Sequence, residues 1–264
     1  GRFEERCLAK PRPAIFLDRD GVLNKEVDLL YRVDQMELLP RVDEAISLIN
    51  KSKYLAIVVT NQPVVARNLC SLEELDIIHK RLETKLGEKG AWLDAIEFCP
   101  HHPDGGFPGE NKQFKIDCDC RKPKTGMIDR AVRRFNLKQE ASWMIGDSER
   151  DIECGRRAGL RTVGVRTGYG CKDVKKPPDY MFDDLYEAAH FIINNPYKKY
   201  YSEIVCKLEK ESRNPSLILI AGQSRSGKSI FSQWLKDQLI HDGKETLKVD
   251  LDQWLIPASE RDES

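Results

Sequence analysis

Short apolar runs alternate along this chain with stretches of helical periodicity, and this alternation constrains the fold more than any other feature. Residues 14–17, 55–59 and 143–145 are apolar enough for buried strands, and residues 41–52 between two of them repeat apolar side chains at helical spacing. Strands that alternate with helices form a parallel sheet, because each helix returns the chain to the same edge. The sequence therefore predicts an α/β fold.

The alternation of predicted strands and helices continues over most of the chain. Ser71 and Glu74 form a capping-box pattern at the start of a helix that is expected to end near Gly87 or Gly90. The other predicted helices and strands are residues 95–99 (strand), 127–136 (helix), 151–158 (helix), 162–165 (strand), 180–181 (strand) and 185–193 (helix). Together they predict one Rossmann-like parallel sheet.

Composition limits the functional classes. Charged residues make up 33% of the 264 residues and sum to a net charge of zero, which argues against a polyanionic partner. Hydrophobic residues make up 40%, yet no apolar run is long enough for a membrane span and no signal peptide is visible. The cysteines do not form a disulfide pattern, so we expect a reducing, cytoplasmic location.

We expect two structural units. The predicted organisation is an N-terminal extension (1–11), a catalytic domain (12–195), a linker helix (196–214) and a partial second domain (215–264). Because the chain begins at Gly1 and stops soon after a motif that normally opens a domain, we expect it to be a piece of a longer polypeptide.

Acidic residues follow two of the predicted strands. Asp18 and Asp20 come directly after residues 14–17, and Asp147 follows residues 143–145. The carboxyl ends of parallel strands are where open α/β sheets bind ligands. Carboxylates placed there can hold Mg²⁺, and one of them can attack a phosphate while another transfers the proton. The alternative is that Asp-x-Asp-Gly is only a turn after a strand.

Three further polar residues complete this expected phosphate site. Thr60 and the amide of Asn61 end the second strand and can hold phosphate oxygens, and Lys122 can supply positive charge. Their order along the chain, each at a strand end or before a helix, favours a catalytic site over a set of turns.

A cysteine-rich insert separates the two halves of this site. Cys99 and His101 form one close pair, and Cys118 and Cys120 form another. Three thiolates and one imidazole match a closed, structural Zn²⁺ site, in which His102 is an alternative ligand. The other interpretation is a group of reactive or merely buried cysteines.

These motifs resemble the haloacid dehalogenase superfamily of phosphatases. The resemblance covers about residues 12–192 and rests on Asp18-x-Asp20-Gly21-Val22-Leu23, Thr60, Lys122 and Gly146-Asp147-x-x-x-Asp151. It implies Asp18 as nucleophile, Asp20 as general acid/base, and Thr60 and Lys122 as phosphate ligands. It also implies Mg²⁺ bound by Asp18, Asp147 and the main-chain carbonyl of Asp20, with Asp151 in a supporting role or simply as an acidic residue at its helix N-terminus.

The insert narrows the resemblance to one branch. The matching segments are Cys-Pro-His-His-Pro from Cys99, Cys-x-Cys-Arg-Lys-Pro from Cys118, Thr60-Asn61-Gln62-x-x-x-Ala66-Arg67 and Arg121-Lys122-Pro123-Lys124-Thr125-Gly126-Met127. They are similar to the heptose-bisphosphate and histidinol-phosphate phosphatases, a branch without a large cap domain, in which a zinc-bound loop limits access. The branch pattern favours His101 as the zinc ligand.

That resemblance also implies the substrate-binding residues. Asn61, Arg67 and Arg121 are expected to bind substrate, with Arg121 at a second phosphate or at hydroxyl groups. The other interpretation of Arg121 is a solvated ion-pair residue. Pro63-Val64 stands where many members have Ser-Gly, which leaves the chemistry in place but changes the surroundings of the phosphate loop.

A second phosphate motif lies near the C-terminus. Gly222, Gly227, Lys228 and Ser229 fit the P-loop pattern, with a predicted strand before them (217–221), a helix after them and a further strand at residues 246–249. This is the expected start of a P-loop NTPase fold that binds ATP. Asp250 or Asp252 resembles a residue of uridine-kinase-type enzymes, but about 50 residues are too few for a complete kinase domain.

The leading hypothesis is a Mg²⁺-dependent phosphatase of a small sugar phosphate or bisphosphate. One alternative is a polynucleotide 3′-phosphatase/kinase, which joins such domains in this order, although the neutral charge and the absence of a basic-aromatic stripe make a nucleic-acid partner unexpected. Another is a histidinol-phosphate phosphatase of the same branch. A non-enzymatic nucleotide-binding scaffold is less expected, because no catalytic element of the phosphatase motifs is missing.

Overall fold

The computed structural model describes residues 10–106, 108–195, 197–210, 218–221 and 227–249, without the side chains of residues 199 and 209. Two compact units divide the chain, residues 1–195 and residues 196–264.

A parallel sheet is the centre of the first unit. Within the described residues it has six strands: β1 (Ala14–Leu17), β2 (Leu55–Asn61), β3 (Ala95–Cys99), β4 (Trp143–Gly146), β5 (Arg161–Val165) and β6 (Tyr180–Phe182). Their spatial order is β3-β2-β1-β4-β5-β6, and every neighbouring pair is parallel. The chain therefore reverses its direction of winding between β1 and β4, and a crevice for ligands opens at such a point.

Helices connect the strands. In the first unit they are α1 (Val42–Asn50), α2 (Leu72–Gly87), α3 (Gly126–Phe135), α4 (Glu149–Arg157) and α5 (Leu185–Asn194), with 3₁₀ turns at Val33–Gln35, Lys112–Phe114 and Gln139–Ala141. No helix in the described parts of the chain is both long and apolar enough to cross a membrane. The predicted α/β fold with a parallel sheet is confirmed.

Local sequence explains where these helices begin. The capping box of α2 is present, since Ser71 Oγ accepts a hydrogen bond from Glu74 N at 3.1 Å and Glu74 Oε2 accepts one from Ser71 N at 2.8 Å. The inward face of α1 consists of Val42, Ala45 and the two isoleucines 46 and 49, all buried. Burial of this apolar face, rather than helix propensity, supplies most of the stability of a helix this short.

Several boundaries differ by one or two residues from the sequence prediction, and two of these differences affect the polar residues. Strand β2 continues past residue 59 because Thr60 and Asn61 pair with Phe98 and Cys99 of β3. Helix α4 begins two residues earlier than expected because Ser148 occupies the N-cap position. Both differences lie at the edge of the sheet that carries the polar residues.

The second unit contains two helices in its described residues, α6 (Lys198–Lys210) and α7 (Lys228–His241). Four aromatic rings, those of Tyr197, Tyr201, Phe231 and Trp234, pack together with centroids 5.1–5.9 Å apart. The strands predicted at residues 217–221 and 246–249 were wrong where the structure describes them, since residues 218–221 and 244–249 are irregular. A strand needs a hydrogen-bonded neighbour, and in the described part of this unit neither segment has one.

The predicted nucleotide site lies only partly within the described residues. Gly222, Asp250 and Asp252 lie outside them. Gly227 is the N-cap of α7 with a left-handed φ of 81°, and Lys228 and Ser229 begin the helix. Binding of ATP there stays a prediction.

Candidate active site

Three aspartates converge where the sheet changes its direction of winding. Asp18 follows β1, Asp147 follows β4, and Asp151 lies in the first turn of α4. The main chain holds the two strand ends together, since Asp18 N donates a hydrogen bond to Ile145 O at 3.0 Å. One carboxylate oxygen from each aspartate lies within 4.8 Å of the others.

A single buried ammonium joins two of these carboxylates. Lys122 Nζ lies 2.8 Å from Asp18 Oδ1 and 2.6 Å from Asp151 Oδ1, and its side chain is 1% exposed. Asn61 fixes the lysine main chain on both sides, because its Oδ1 accepts a hydrogen bond from Lys122 N at 2.9 Å and its Nδ2 donates one to Lys122 O at 3.1 Å. The side chain of Asn61 therefore positions Lys122, and the phosphate contact of the Asn61 amide stays a prediction.

Burial and neighbouring charges shift the pKa values of Asp18, Asp147, Asp151 and Lys122 in different directions. Burial, with the charge of Asp151, raises the pKa of Asp18 well above its usual value and raises that of Asp147 to about 7. Burial also acts on Asp151, but the Lys122 charge and hydrogen bonds outweigh it and lower the pKa of this carboxyl. Burial alone would lower the pKa of Lys122, but the charges of Asp151 and Asp18 and their hydrogen bonds raise it. Three carboxylates thus crowd around the Lys122 ammonium. A bound divalent cation would reduce the repulsion between their charges.

Backbone from two loops surrounds Asp147. Tyr169 N donates a hydrogen bond to Asp147 Oδ2 at 2.7 Å. Gly21 and Gly168 have positive φ angles of 78° and 59°, and a Cβ at either position would lie 2.1 or 2.0 Å from Asp147 Oδ2. Only glycine fits in either place. The contributions of Gly168 and Tyr169 were missed by sequence reasoning, since a lone glycine after a strand is a weak signal.

Asp20 is held apart from the three other carboxylates. Its oxygens accept hydrogen bonds from the guanidinium of Arg19 at 3.0–3.1 Å, from Asn24 Nδ2 at 2.8 Å and from Gln62 Nε2 at 2.8 Å. Burial raises the pKa of Asp20, but the Arg19 charge and these hydrogen bonds lower it below its usual value. Gln62 Nε2 also donates to Thr60 Oγ1 at 2.9 Å, so the predicted phosphate ligand Thr60 belongs to the same network.

The cysteine-rich insert brings its four predicted ligands together. The Sγ atom of Cys99 lies 3.1 Å from that of Cys120 and 3.5 Å from that of Cys118, and Cys118 and Cys120 are 3.2 Å apart. His101 Nδ1 lies 3.4 Å from Cys120 Sγ and 3.8 Å from Cys99 Sγ. A zinc–sulfur bond of about 2.3 Å places the corners of a tetrahedron roughly 3.8 Å apart, so the cluster has nearly the size that zinc requires.

The chemistry of this cluster also suits a metal. The side-chain contacts of Cys120 with Cys99, Cys118 and His101 lower the pKa of the Cys120 thiol, which favours the thiolate that binds a metal. His102, the alternative ligand, instead accepts a hydrogen bond at Nδ1 from Asp104 N at 3.2 Å. The residues present therefore fit a structural zinc ion.

The two predicted substrate arginines lie beside the insert. Arg121 directly follows Cys120, and its Nη1 donates a hydrogen bond to His101 O at 3.1 Å. Arg67 lies close enough to His102 for its charge to contribute to the lowered pKa of that imidazole, after burial and the charge of Arg121. Arg121 therefore lies at the border between the insert and the carboxylate site, and Arg67 lies near His102 of the insert.

Comparisons with known proteins concern mostly the first unit. A family model described as HAD-hydrolase-like matches residues 119–188. The chain is 36% identical over 191 residues to the D-glycero-D-manno-heptose-1,7-bisphosphate 7-phosphatase of Thermosynechococcus vestitus, and the match covers 69% of this chain and 96% of that protein. The corresponding Pasteurella multocida enzyme is also 36% identical, over 183 residues, with 69% and 97% covered.

Solved structures of two phosphatases are also similar to this chain. The D,D-heptose 1,7-bisphosphate phosphatase from B. bronchiseptica, complexed with magnesium and phosphate, aligns with a TM-score of 0.61 at 31% identity, covering 69% of this chain and 99% of that one. A putative HAD-like phosphatase from Mesorhizobium loti aligns with a TM-score of 0.59 at 28% identity, covering 70% and 89%.

Removal of the buried ammonium is expected to destabilise the fold. Lys122→Met keeps the aliphatic stem but leaves two buried carboxylates without their cation, so we expect the free energy of unfolding to fall by about 3–5 kcal/mol. Urea denaturation checks this, with Lys124→Met as control, because Lys124 forms an exposed ion pair with Asp117. Equal stability of the two variants would contradict the structural role given to Lys122.

Proposed function

Since the chain belongs to the haloacid-dehalogenase-like phosphatases and is a phosphoric monoester hydrolase, we propose that it removes one phosphate from a sugar bisphosphate. The observation that carries the proposal is the Asp18–Lys122–Asp151 contact beside Asp147, at the ligand crevice of the sheet. A buried cation among carboxylates provides the positive charge that phosphoryl transfer needs, together with a nucleophile within reach.

Asp18 is the proposed nucleophile. One carboxylate oxygen attacks the phosphorus atom, the bond from phosphorus to the sugar oxygen breaks, and an aspartyl phosphate forms. Lys122 stays within 2.8 Å of Asp18 Oδ1 and can neutralise charge on the transferred phosphoryl group. Water then attacks the same phosphorus atom, which releases inorganic phosphate and restores Asp18.

Asp20 is the proposed proton carrier of both steps. It gives a proton to the departing sugar oxygen and later takes one from the attacking water, so that the two steps balance. The hydrogen bonds from Arg19, Asn24 and Gln62 hold its carboxylate in one position and favour the ionised form that the second step requires. We therefore assign Arg19 and Gln62 as positioning residues for Asp20.

The carboxylate cluster fits a magnesium ion. Asp18 and Asp147 would hold it through carboxylate oxygens, with the main-chain carbonyl of Asp20 as the third protein ligand. When bound, Mg²⁺ supplies charge neutralisation for the phosphate oxygens. The close packing of Gly21 and Gly168 against Asp147, with the hydrogen bond from Tyr169 N, restrains that carboxylate and supports its assignment as a ligand.

The cysteine cluster is proposed to hold a structural zinc ion, bound by Cys99, His101, Cys118 and Cys120. The zinc would order the insert, because its ligands come from both ends of it. Arg121 and Lys122 follow the last ligand directly, so the zinc would also position the loop that reaches the carboxylate site.

The substrate class is proposed from the relatives and from charge. The two relatives named above act on heptose 1,7-bisphosphate, and the capless arrangement proposed for this branch leaves substrate choice to loops around the crevice. Arg121 and Arg67 at the border of the insert are the proposed contacts to the part of the substrate that does not react.

Loss of the nucleophile is expected to abolish turnover while the fold remains. Asp18→Asn should lower kcat by about 1,000-fold or more, because the amide oxygen is a poor nucleophile, with little change in melting temperature or zinc content. Phosphate release from heptose 1,7-bisphosphate, histidinol phosphate and a 3′-phosphorylated oligonucleotide measures this for each substrate class. Asp34→Asn, an exposed aspartate paired with Arg32, is the control.

Undiminished turnover in Asp18→Asn would contradict the nucleophile assignment. A wild-type preference for the oligonucleotide or for histidinol phosphate would contradict the sugar bisphosphate as substrate while leaving the mechanism in place.

Loss of zinc is expected to weaken substrate binding before it affects the chemistry. Cys118→Ser should lower the zinc content to well below one ion per chain and raise KM by roughly tenfold, with a smaller change in kcat, because Arg121 loses its support. Metal analysis and steady-state kinetics check this, with Cys171→Ser as control, since Cys171 Sγ contacts Gly146 O outside the cluster. A zinc-free variant with unchanged KM would contradict the positioning role.

A further inference from the structure

The buried side of α2 carries one titratable residue that the proposed mechanism does not use. His79 is 5% exposed, and the other buried residues of this helix are three leucines and one isoleucine. Its Nε2 atom is shielded from solvent and has no hydrogen-bond partner among the described residues. An apolar side chain would avoid the cost of burying such an atom. Packing alone therefore does not explain a histidine at this position.

Arg19 carries an unpaired atom of the complementary kind. Its side chain is fully buried, and its Nε and Nη2 atoms donate hydrogen bonds to Asp20 and Gln62 at 2.9–3.1 Å. Its Nη1 atom is buried and has no hydrogen-bond partner in the described parts of the chain. A guanidinium nitrogen can only donate, whereas a neutral imidazole that carries its proton on Nδ1 accepts at Nε2. The two unpaired atoms are therefore one donor and one acceptor.

Contacts across β3 and β2 lead from His79 to Arg19. The His79 ring packs on Phe98, with the ring centroids 5.2 Å apart. Phe98 of β3 pairs with Thr60 of β2, and paired residues of neighbouring parallel strands point to the same face of the sheet. Next to them, Thr60 Oγ1 accepts a hydrogen bond from Gln62 Nε2 at 2.9 Å. Gln62 Oε1 in turn accepts one from Arg19 Nη2 at 2.9 Å, which completes the series of contacts.

The surroundings of His79 keep its imidazole neutral. Burial, followed by the charge of Arg19, lowers the pKa of His79 to about 3, although the charges of Asp20 and Asp76 act in the opposite direction. A neutral imidazole can accept a hydrogen bond, whereas an imidazolium would repel the arginine. The influence of Arg19 and Asp20 on this pKa agrees with the series of contacts.

We propose that His79 is a positioning residue that holds Arg19, and through it Asp20, for proton transfer. The two unpaired atoms form no direct hydrogen bond with each other. One buried water molecule would accept a hydrogen bond from Arg19 Nη1 and donate one to His79 Nε2, as buried waters commonly do. The fixed guanidinium would then keep the Asp20 carboxyl in place beside the departing sugar oxygen. The inference rests on the proposed function and adds to it a residue that touches neither substrate nor metal.

Two substrates with different leaving groups test this role. Departure of a sugar oxygen needs a proton from Asp20, whereas the nitrophenolate of 4-nitrophenyl phosphate leaves without one. We expect His79→Leu to lower kcat/KM for heptose 1,7-bisphosphate about tenfold, through kcat and not KM, and to lower that for 4-nitrophenyl phosphate less than about twofold. His79→Gln should restore most of the loss, because its side-chain oxygen can also accept a hydrogen bond. Asp20→Ala should show the same selectivity with a larger loss.

A double-mutant cycle tests whether His79 acts through Arg19. Arg19→Gln alone should lower kcat/KM for the bisphosphate, and the addition of His79→Leu should lower it no further, as expected for residues of one network. Ile78→Val, at a buried neighbour on α2, is the control for packing and should leave both substrates within about twofold of the wild type.

Three results would overturn the positioning role alone. These are an unchanged kcat/KM in His79→Leu, an equal loss for both substrates in that variant, and losses that multiply in the double variant. Other results would instead contradict the proposed function. A wild-type enzyme that releases no phosphate from heptose 1,7-bisphosphate would contradict the substrate class, and an equal loss for both substrates in Asp20→Ala would contradict Asp20 as the proton carrier.

Discussion

The buried contact of Lys122 with Asp18 and Asp151 is the interaction on which the rest of the site depends. It joins the end of β1 to the first turn of α4 through one ammonium group that is almost fully shielded from water. Two carboxylates and one ammonium are stable at this depth only when they meet, because each charge alone carries a large desolvation cost. The geometry of the site is therefore linked to the stability of the fold.

The cysteine-rich insert and β2 both help to position Lys122 for its contact with Asp18 and Asp151. Asn61, the last residue of β2, binds the main chain of Lys122 on both sides, and Cys120 precedes the lysine by two residues. A structural zinc on the insert would thus affect catalysis by positioning Lys122, without taking part in the reaction itself. The same loop carries Arg121, whose Nη1 donates a hydrogen bond to His101 O of the insert.

The sequence predicts the sheet and its carboxylates well, for physical reasons. Strands buried on both faces must be continuous apolar runs, so Asp18 and Asp147 stand out at their ends. The hydrogen bonds that Gln62 makes to Asp20, and the close approach of Gly168 to Asp147, depend on contacts between distant segments, which local patterns do not contain. Within the described residues, the strands predicted on either side of α7 are wrong for the opposite reason, since apolar composition alone does not supply a pairing partner.

The crowded, buried carboxylates of the site retain protons that a divalent cation displaces when it binds. Burial, followed by the charge of Asp151, raises the pKa of Asp147 to about 7, so this carboxyl is mostly protonated at about pH 6 and ionised at about pH 8.5. Calorimetric titration with Mg²⁺, in buffers of different protonation enthalpy, counts the released protons. We expect release of about one proton or more per ion near pH 6, with weaker binding there, and less release near pH 8.5. A proton count near zero at both pH values would contradict the claim.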